Sequence, residues 1–174
     1  HCVGCWAAGY KCKLSLGFET LDDIIRQAKE LGIHFFLYSG GEPLVRKNDL
    51  IRLCEKHPDC TFTSFTNATF LDEAFADEML RVKNFIPAMS IEGFEKETDS
   101  RRGKGVYKAV IRAMDICRER KLAFGASCCY TRFNTPVIGS DAFIDELIDH
   151  GAKFAWFFTY MPVGNGSTPD LIVT

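Results

Sequence analysis

The sequence predicts an α/β fold with a parallel sheet, either a partial open barrel or a doubly wound sheet. Three observations carry this. Short apolar runs rich in β-branched and aromatic residues alternate with stretches whose apolar residues recur at helical spacing. The alternating unit recurs at uneven intervals without repeated sequence, which argues against a solenoid. The polar clusters Ser39–Glu42, Asn67, Ser90–Glu92 and Thr131 fall at the C-terminal ends of the expected strands, the edge where parallel α/β folds bind ligands.

Residues 6–18 read as a loop. Thr20 is an expected N-cap, with Asp22 and Asp23 in the first turn where the helix dipole favours acids. Leu21, Ile24, Ile25, Ala28 and Leu31 hold helical spacing until Gly32 ends it. Ile33–Tyr38 is a mostly apolar run, as for a strand buried on both faces. A helix is expected over 47–56, then a β-branched and aromatic strand over Thr61–Thr66. Leu71, Phe75, Met79 and Val82 share one face of a helix over 71–82. A strand over Phe85–Ile91, a helix over 105–120 and a strand over Leu122–Thr131 follow. A helix over 140–150, stopped by Gly151, leads to a last strand over Lys153–Tyr160 and a closing loop rich in Pro and Gly. That makes five strands and five helices. The chain opens in a loop before a helix, so a further strand is expected upstream.

With 174 residues, 47% hydrophobic and 25% charged, one globular domain with a sizeable core is expected. The net charge of −2, with both signs interspersed, argues against nucleic-acid and membrane-surface partners. No apolar run approaches the roughly 20 residues of a membrane helix. Eight cysteines in a chain of this length and helical pattern fit mostly free thiols in a reducing cytoplasm better than a disulfide scaffold.

Two sequence signals carry chemistry. In Cys2-Val3-Gly4-Cys5 the thiols lie three positions apart and can share one metal or one disulfide. Structural zinc needs four ligands, usually two such pairs, and a thioredoxin-type pair sits at a helix N-terminus after a strand. An iron–sulfur site needs at least one further cysteine, from Cys12 or from upstream. The second signal is Gly40-Gly41-Glu42-Pro43. Two glycines let backbone approach a ligand closely, Glu42 offers an acceptor, and Pro43 fixes the exit. A plain strand-to-helix turn reads equally well from these four residues alone.

The order Cys-Val-Gly-Cys, Tyr-Ser-Gly-Gly-Glu-Pro-Leu, Thr-Asn-Ala, Ser-Ile-Glu-Gly and Arg-Arg-Gly-Lys-Gly-Val-Tyr resembles the radical S-adenosylmethionine (radical SAM) superfamily over essentially the whole chain. It is most similar to the branch with peptide-modifying members. The resemblance implies a partial (β/α)6-type TIM barrel of parallel strands whose first strand is missing, making residues 1–174 a core-domain fragment. It implies a [4Fe–4S] cluster and S-adenosylmethionine as cofactors, an electron donor, and a small-molecule or peptide substrate. Cys2 and Cys5 resemble the second and third of three cluster cysteines; the first would lie four positions before Cys2. Gly40, Gly41 and Glu42 resemble the motif that holds the methionine amino group. Ser90 and Glu92 resemble positions at the ribose or the methionine end, Asn67 sits at the equivalent edge, and Arg102 is a candidate partner for the methionine carboxylate.

Two departures from the family pattern stand out: with the first cysteine outside residues 1–174, this fragment is expected to bind the cluster poorly and to be inactive, and the aromatic position differs. The residue before the family's third cysteine is usually aromatic and here is Gly4; Trp6 and Tyr10 read equally as substitutes for it or as core residues. Cys54 and Cys117 read as core. Of Cys128 and Cys129, whichever faces the barrel interior is the one expected near substrate. Phe35, Phe36, Phe154, Phe157 and Phe158 read as core filling, and His34, His57 and His150 as isolated surface or packing residues. The rival to an enzyme is a noncatalytic metal- or thiol-binding module built on Cys2 and Cys5.

Overall fold

The computed structural model of the chain describes residues 2–5, 7, 15–164 and 166–173; Trp6, Tyr10 and Cys12 lie outside them. Five strands, β1 (Phe35–Tyr38), β2 (Thr61–Thr66), β3 (Phe85–Ser90), β4 (Gly125–Tyr130) and β5 (Ala155–Thr159), form one sheet in chain order. Every neighbouring pair is parallel. Among the described residues there are seven α-helices: α1 (Phe18–Glu30), α2 (Lys47–Lys56), α3 (Glu73–Val82), α4 (Glu95–Arg102), α5 (Val106–Glu119), α6 (Thr135–Ile138) and α7 (Asp141–Asp149).

Alternation along each strand sorts the side chains. Phe62, Met89, Ala126 and Cys128 face outward into one core with Ile25 of α1, Leu53 of α2, Met79 of α3, Met114 of α5 and Phe143 of α7. All five long helices therefore pack on the same face, which excludes the doubly wound alternative. The other face curls inward. Phe65 of β2 meets Trp156 and Phe158 of β5 at ring-centroid distances of 5.2 and 5.3 Å. Strands three places apart on a flat sheet stand about 14 Å apart, so this contact requires the closed curvature of a half-barrel.

Several expectations are corrected. The first helix begins at Phe18 behind Gly17, and Thr20 lies inside its first turn. The strand β1 is not buried on both faces: Phe35 and Leu37 are 54% and 44% exposed, because β1 is the sheet edge and its inner face has no partner. Phe157 and Phe158 are exposed rather than core filling, since β5 is the opposite edge. The helix α4 was not expected, because its sequence EKETDSRR has no apolar stripe to read. Tertiary anchors hold it instead: Thr98 hydroxyl donates to the Gly93 carbonyl at 2.9 Å and accepts from the Glu92 amide at 3.1 Å.

Candidate active site at the strand C-terminal edge

Register sets the floor of the site. Tyr38 is level with Ser64, Thr66 with Met89, and Ser90 with Ser127. Gly41 and Asn67, each a short step beyond its pair, and Ser90, within its own, therefore reach the same edge of the sheet.

The glycine segment forms one half of the site. Gly40 has a φ of +138°, a conformation that only glycine adopts freely. A Cβ placed on Gly40 or Gly41 would meet nothing within 4 Å, so the segment borders open space. Glu42 holds the segment in place. Its Oε1 accepts from the Leu44 amide at 2.9 Å and from the Thr66 hydroxyl at 2.6 Å; its Oε2 accepts from the Asn67 amide at 2.7 Å. Three of roughly four acceptor positions on the carboxylate are thus used by the protein itself. Glu42 is a clamp between the β1 and β2 tips. The Asn67 side chain also turns inward on its own loop, accepting from the Thr69 amide at 2.9 Å.

The second half gathers around Glu92. Its side chain is 0% exposed and faces two guanidiniums. Arg101 donates to Oε1 at 2.6 Å and Arg102 Nε donates to the same oxygen at 2.7 Å, while Oε2 has no partner among the described residues. Burial opposes the Arg102 charge, but Glu92 and then Cys2 outweigh it and keep the guanidinium firmly protonated. Asn134 ties the neighbouring tips together, donating to the carbonyls of Glu92 at 3.0 Å and Cys129 at 3.2 Å. Sequence reasoning missed Asn134, Thr98 and Arg101. Only Arg101 left a trace, as the residue beside Arg102.

The cysteine turn closes over this acid. The Cys5 amide bonds the Cys2 carbonyl at 3.2 Å, and the Val3 amide bonds the Arg101 carbonyl at 2.8 Å. Arg102 Nη1 lies 3.9 Å from Cys2 Sγ, so one guanidinium bridges the thiol and Glu92. Arg102 is therefore already engaged by protein groups and is not a free carboxylate clamp. Gly4 accounts for the missing aromatic. At a φ of +71°, a Cβ there would stand 2.6 Å from Leu171 Cδ1 and 2.8 Å from the Tyr160 hydroxyl. Tyr160 occupies the space that a larger residue 4 would need.

The remaining thiols separate cleanly. Burial pushes Cys54, Cys117 and Cys128 up to about 12, as for thiols that stay protonated in a core. Cys129 is half-buried on the inner face, and burial raises it as well. Cys2 and Cys5 are free and partly exposed. A cleft of about 450 Å³ flanks the turn, lined in part by Val3, Ser100, Arg101, Thr131, Asn134 and Leu171. It includes none of Gly40, Gly41, Glu42, Asn67 or Glu92, so open volume alone does not mark the cradle.

These residues fit the two cofactors that the sequence resemblance implies. Two free thiols on a turn suit iron, and a glycine segment bordering open space suits the close approach of an amino-acid moiety at the same sheet edge.

Comparison with known proteins agrees. A family model for the radical SAM superfamily matches residues 1–153. An uncharacterized protein of Archaeoglobus fulgidus is 38% identical over 102 residues, 58% of this chain and 24% of that protein. A Fe-coproporphyrin III synthase of Methanosarcina barkeri is 27% identical over 171 residues, 95% of this chain and 42% of that one. Streptococcus suis SuiB bound to S-adenosylmethionine shares the fold with a TM-score of 0.78 at 22% identity, over 95% of this chain and 39% of SuiB. Native anSMEcpe with bound AdoMet does so with a TM-score of 0.74 at 21% identity, over 92% of this chain and 48% of that one. The chain spans less than half the length of each of these proteins. A thiol turn laid over a glycine-bordered sheet edge of a parallel half-barrel, matched by the family model over most of the sequence, places this chain in the radical SAM superfamily, whose enzymes bind a [4Fe–4S] cluster and S-adenosylmethionine.

Proposed function

We propose that the chain is the core of a longer iron–sulfur enzyme that cleaves S-adenosylmethionine reductively and abstracts hydrogen from a substrate over the sheet edge. The observation that carries this reading is the contact chain Cys2–Arg102–Glu92, which ties the thiol turn to the tip of β3, on the same sheet edge that bears Gly40 and Gly41 after β1. When bound, the cluster and its nucleoside supply a one-electron transfer from an external donor into the sulfonium, breaking a C–S bond to give methionine and a 5′-deoxyadenosyl radical that takes a hydrogen atom. The chain's own residues bind and position. Cys2 and Cys5 present thiolates. Gly40 and Gly41 offer backbone to the methionine end, and Glu42 fixes that backbone. Ser90 and Asn67 line the same edge, and Glu92 with Arg102 sets the height of the turn. Cys129 faces the interior where substrate would sit.

Two substrate classes have support. SuiB is known with its precursor peptide SuiA, and anSMEcpe with a peptide. The Methanosarcina relative, by its name, makes a small tetrapyrrole. A peptide or a small molecule is accordingly the substrate class proposed.

Anaerobic reconstitution of the full-length protein tests the reading. The expected result is a brown protein with close to four irons per cluster site and 5′-deoxyadenosine on reduction with S-adenosylmethionine. Colourless protein holding zinc at Cys2 and Cys5, and indifferent to S-adenosylmethionine, would establish the noncatalytic module instead.

A further inference from the structure

The opposite end of the sheet carries a separate cluster. His34 precedes β1, while Asp59 and Cys60 precede β2, so all three lie at the N-terminal edge, a full strand length from the cysteine turn. The sequence presents His34 as isolated; the fold does not. His34 Nδ1 is 3.5 Å from Asp59 Oδ2 and 3.9 Å from Cys60 Sγ, and Cys60 Sγ is 4.0 Å from Asp59 Oδ1. One donor atom from each residue lies within 4.8 Å of the other two.

The arrangement separates two chemistries. In a nucleophile relay the carboxylate holds the imidazole nitrogen opposite the thiol. Here thiol and carboxylate both approach Nδ1, so no relay exists. Three donors converging from one side instead enclose a single point. Zinc bonds of about 2.0 Å to N and O and about 2.3 Å to S, at tetrahedral angles, place donors roughly 3.3–3.5 Å apart. His34 faces one oxygen of the Asp59 carboxylate and Cys60 the other, and with one donor atom from each residue the three lie within 4.8 Å of one another, so binding requires a contraction of up to about 1.3 Å that a carboxylate rotation can supply.

The backbone beneath is locked. The Thr61 amide bonds the His34 carbonyl at 2.8 Å, coupling the two segments. Asn84 Nδ2 lies within 3.1 Å of the carbonyls of Cys54, His57 and Cys60, fixing the turn that carries the ligands. Lys29 Nζ sits 2.8 Å from the Asp59 carboxylate and is the one cation among these contacts that competes for it.

We propose that His34, Asp59 and Cys60 form a second metal site, for a borderline divalent cation such as Zn²⁺, with an outward fourth position for water. The site staples the turn before β1 to the turn before β2. It is independent of the radical SAM reading, because it shares no residue with that site.

The test uses the full chain with Cys2, Cys5 and Cys12 replaced by Ser, reduced and titrated with Co²⁺, then with competing Zn²⁺. The expected result is one equivalent of Co²⁺ with near-ultraviolet thiolate-to-metal absorption, displaced by Zn²⁺. His34→Ala, a half-exposed position that leaves the core intact, is expected to weaken binding at least about tenfold. Cys60→Ala is expected to abolish the thiolate absorption, whereas Cys54→Ser leaves both unchanged. Absence of thiolate absorption, or a titration that H34A leaves unaltered, overturns the proposal. Metal bound only when Cys2 and Cys5 are present overturns it too.

Discussion

At the scale of single residues, the two acids that the sequence marks alike have different tasks. Glu42 spends its carboxylate on three protein donors at the strand tips. Glu42→Ala strands two amides and a hydroxyl, so an unfolding cost of about 2–3 kcal/mol is expected from urea midpoints. Glu92 is a buried charge facing two arginines. Removing its charge leaves both guanidiniums without that counter-ion, and Glu92→Gln is expected to cost about 3–5 kcal/mol. Removing Arg101 alone leaves Arg102 to neutralise the acid, so Arg101→Ala costs less than E92Q in the same assay. Gly4 makes a third case. Gly4→Phe must displace Tyr160 and Leu171 from a left-handed turn. Iron retained after reconstitution should fall several-fold, and the urea midpoint should fall with it, because Gly4, Tyr160 and Leu171 are all buried.

At the scale of elements, helices with apolar stripes were legible and helices held by polar contacts were not. The stripe of α3 fixed its face, and Asp72 caps it by accepting from the Phe75 amide at 2.8 Å. By contrast, α4 has only Thr98 buried, and its position rests on bonds to a turn that no local pattern announces. The helix α1 shows a third means of fixation. Asp22 lies at the interface of α1 with α2, 2.7 Å from Lys56 Nζ and 2.8 Å from His57 Nε2, with Arg26 Nε at 3.7 Å. The Lys56 ammonium holds the Asp22 carboxyl below the usual range; burial works against this and His57 adds to it. A folded-state value below the unfolded one means that the clamp stabilises fully above about pH 4 and is lost as pH falls through the lowered value. Urea midpoints followed from pH 6 to 2 should therefore fall more steeply in the parent than in Asp22→Asn, the two curves converging at the acid end.

At the scale of the whole molecule, curvature decides which aromatics meet on the inner face of the sheet. Phe65, Trp156 and Phe158 meet inside the half-barrel, and Phe154 lies against Gly125 so closely that a Cβ there would stand 2.3 Å from its ring. Gly125→Ala is expected to cost about 1–3 kcal/mol by overpacking. The loss should shrink in the double variant with Phe154→Leu, since contacting sites are not additive. Among the described residues no helix is long and apolar enough to cross a membrane, as the apolar run lengths already implied. Alternating patterns and strand-end polar clusters were enough to establish the parallel α/β class, the ligand-binding edge at the strand C-termini and the thiol pair, because those signals are local and periodic. Whether the sheet doubles back or curls, which cysteine of Cys128 and Cys129 faces inward, that Arg102 joins Cys2 to Glu92, and that His34 reaches Cys60 were settled only in three dimensions. Each depends on residues brought together across strands, and a chain read along its length carries no record of those distances.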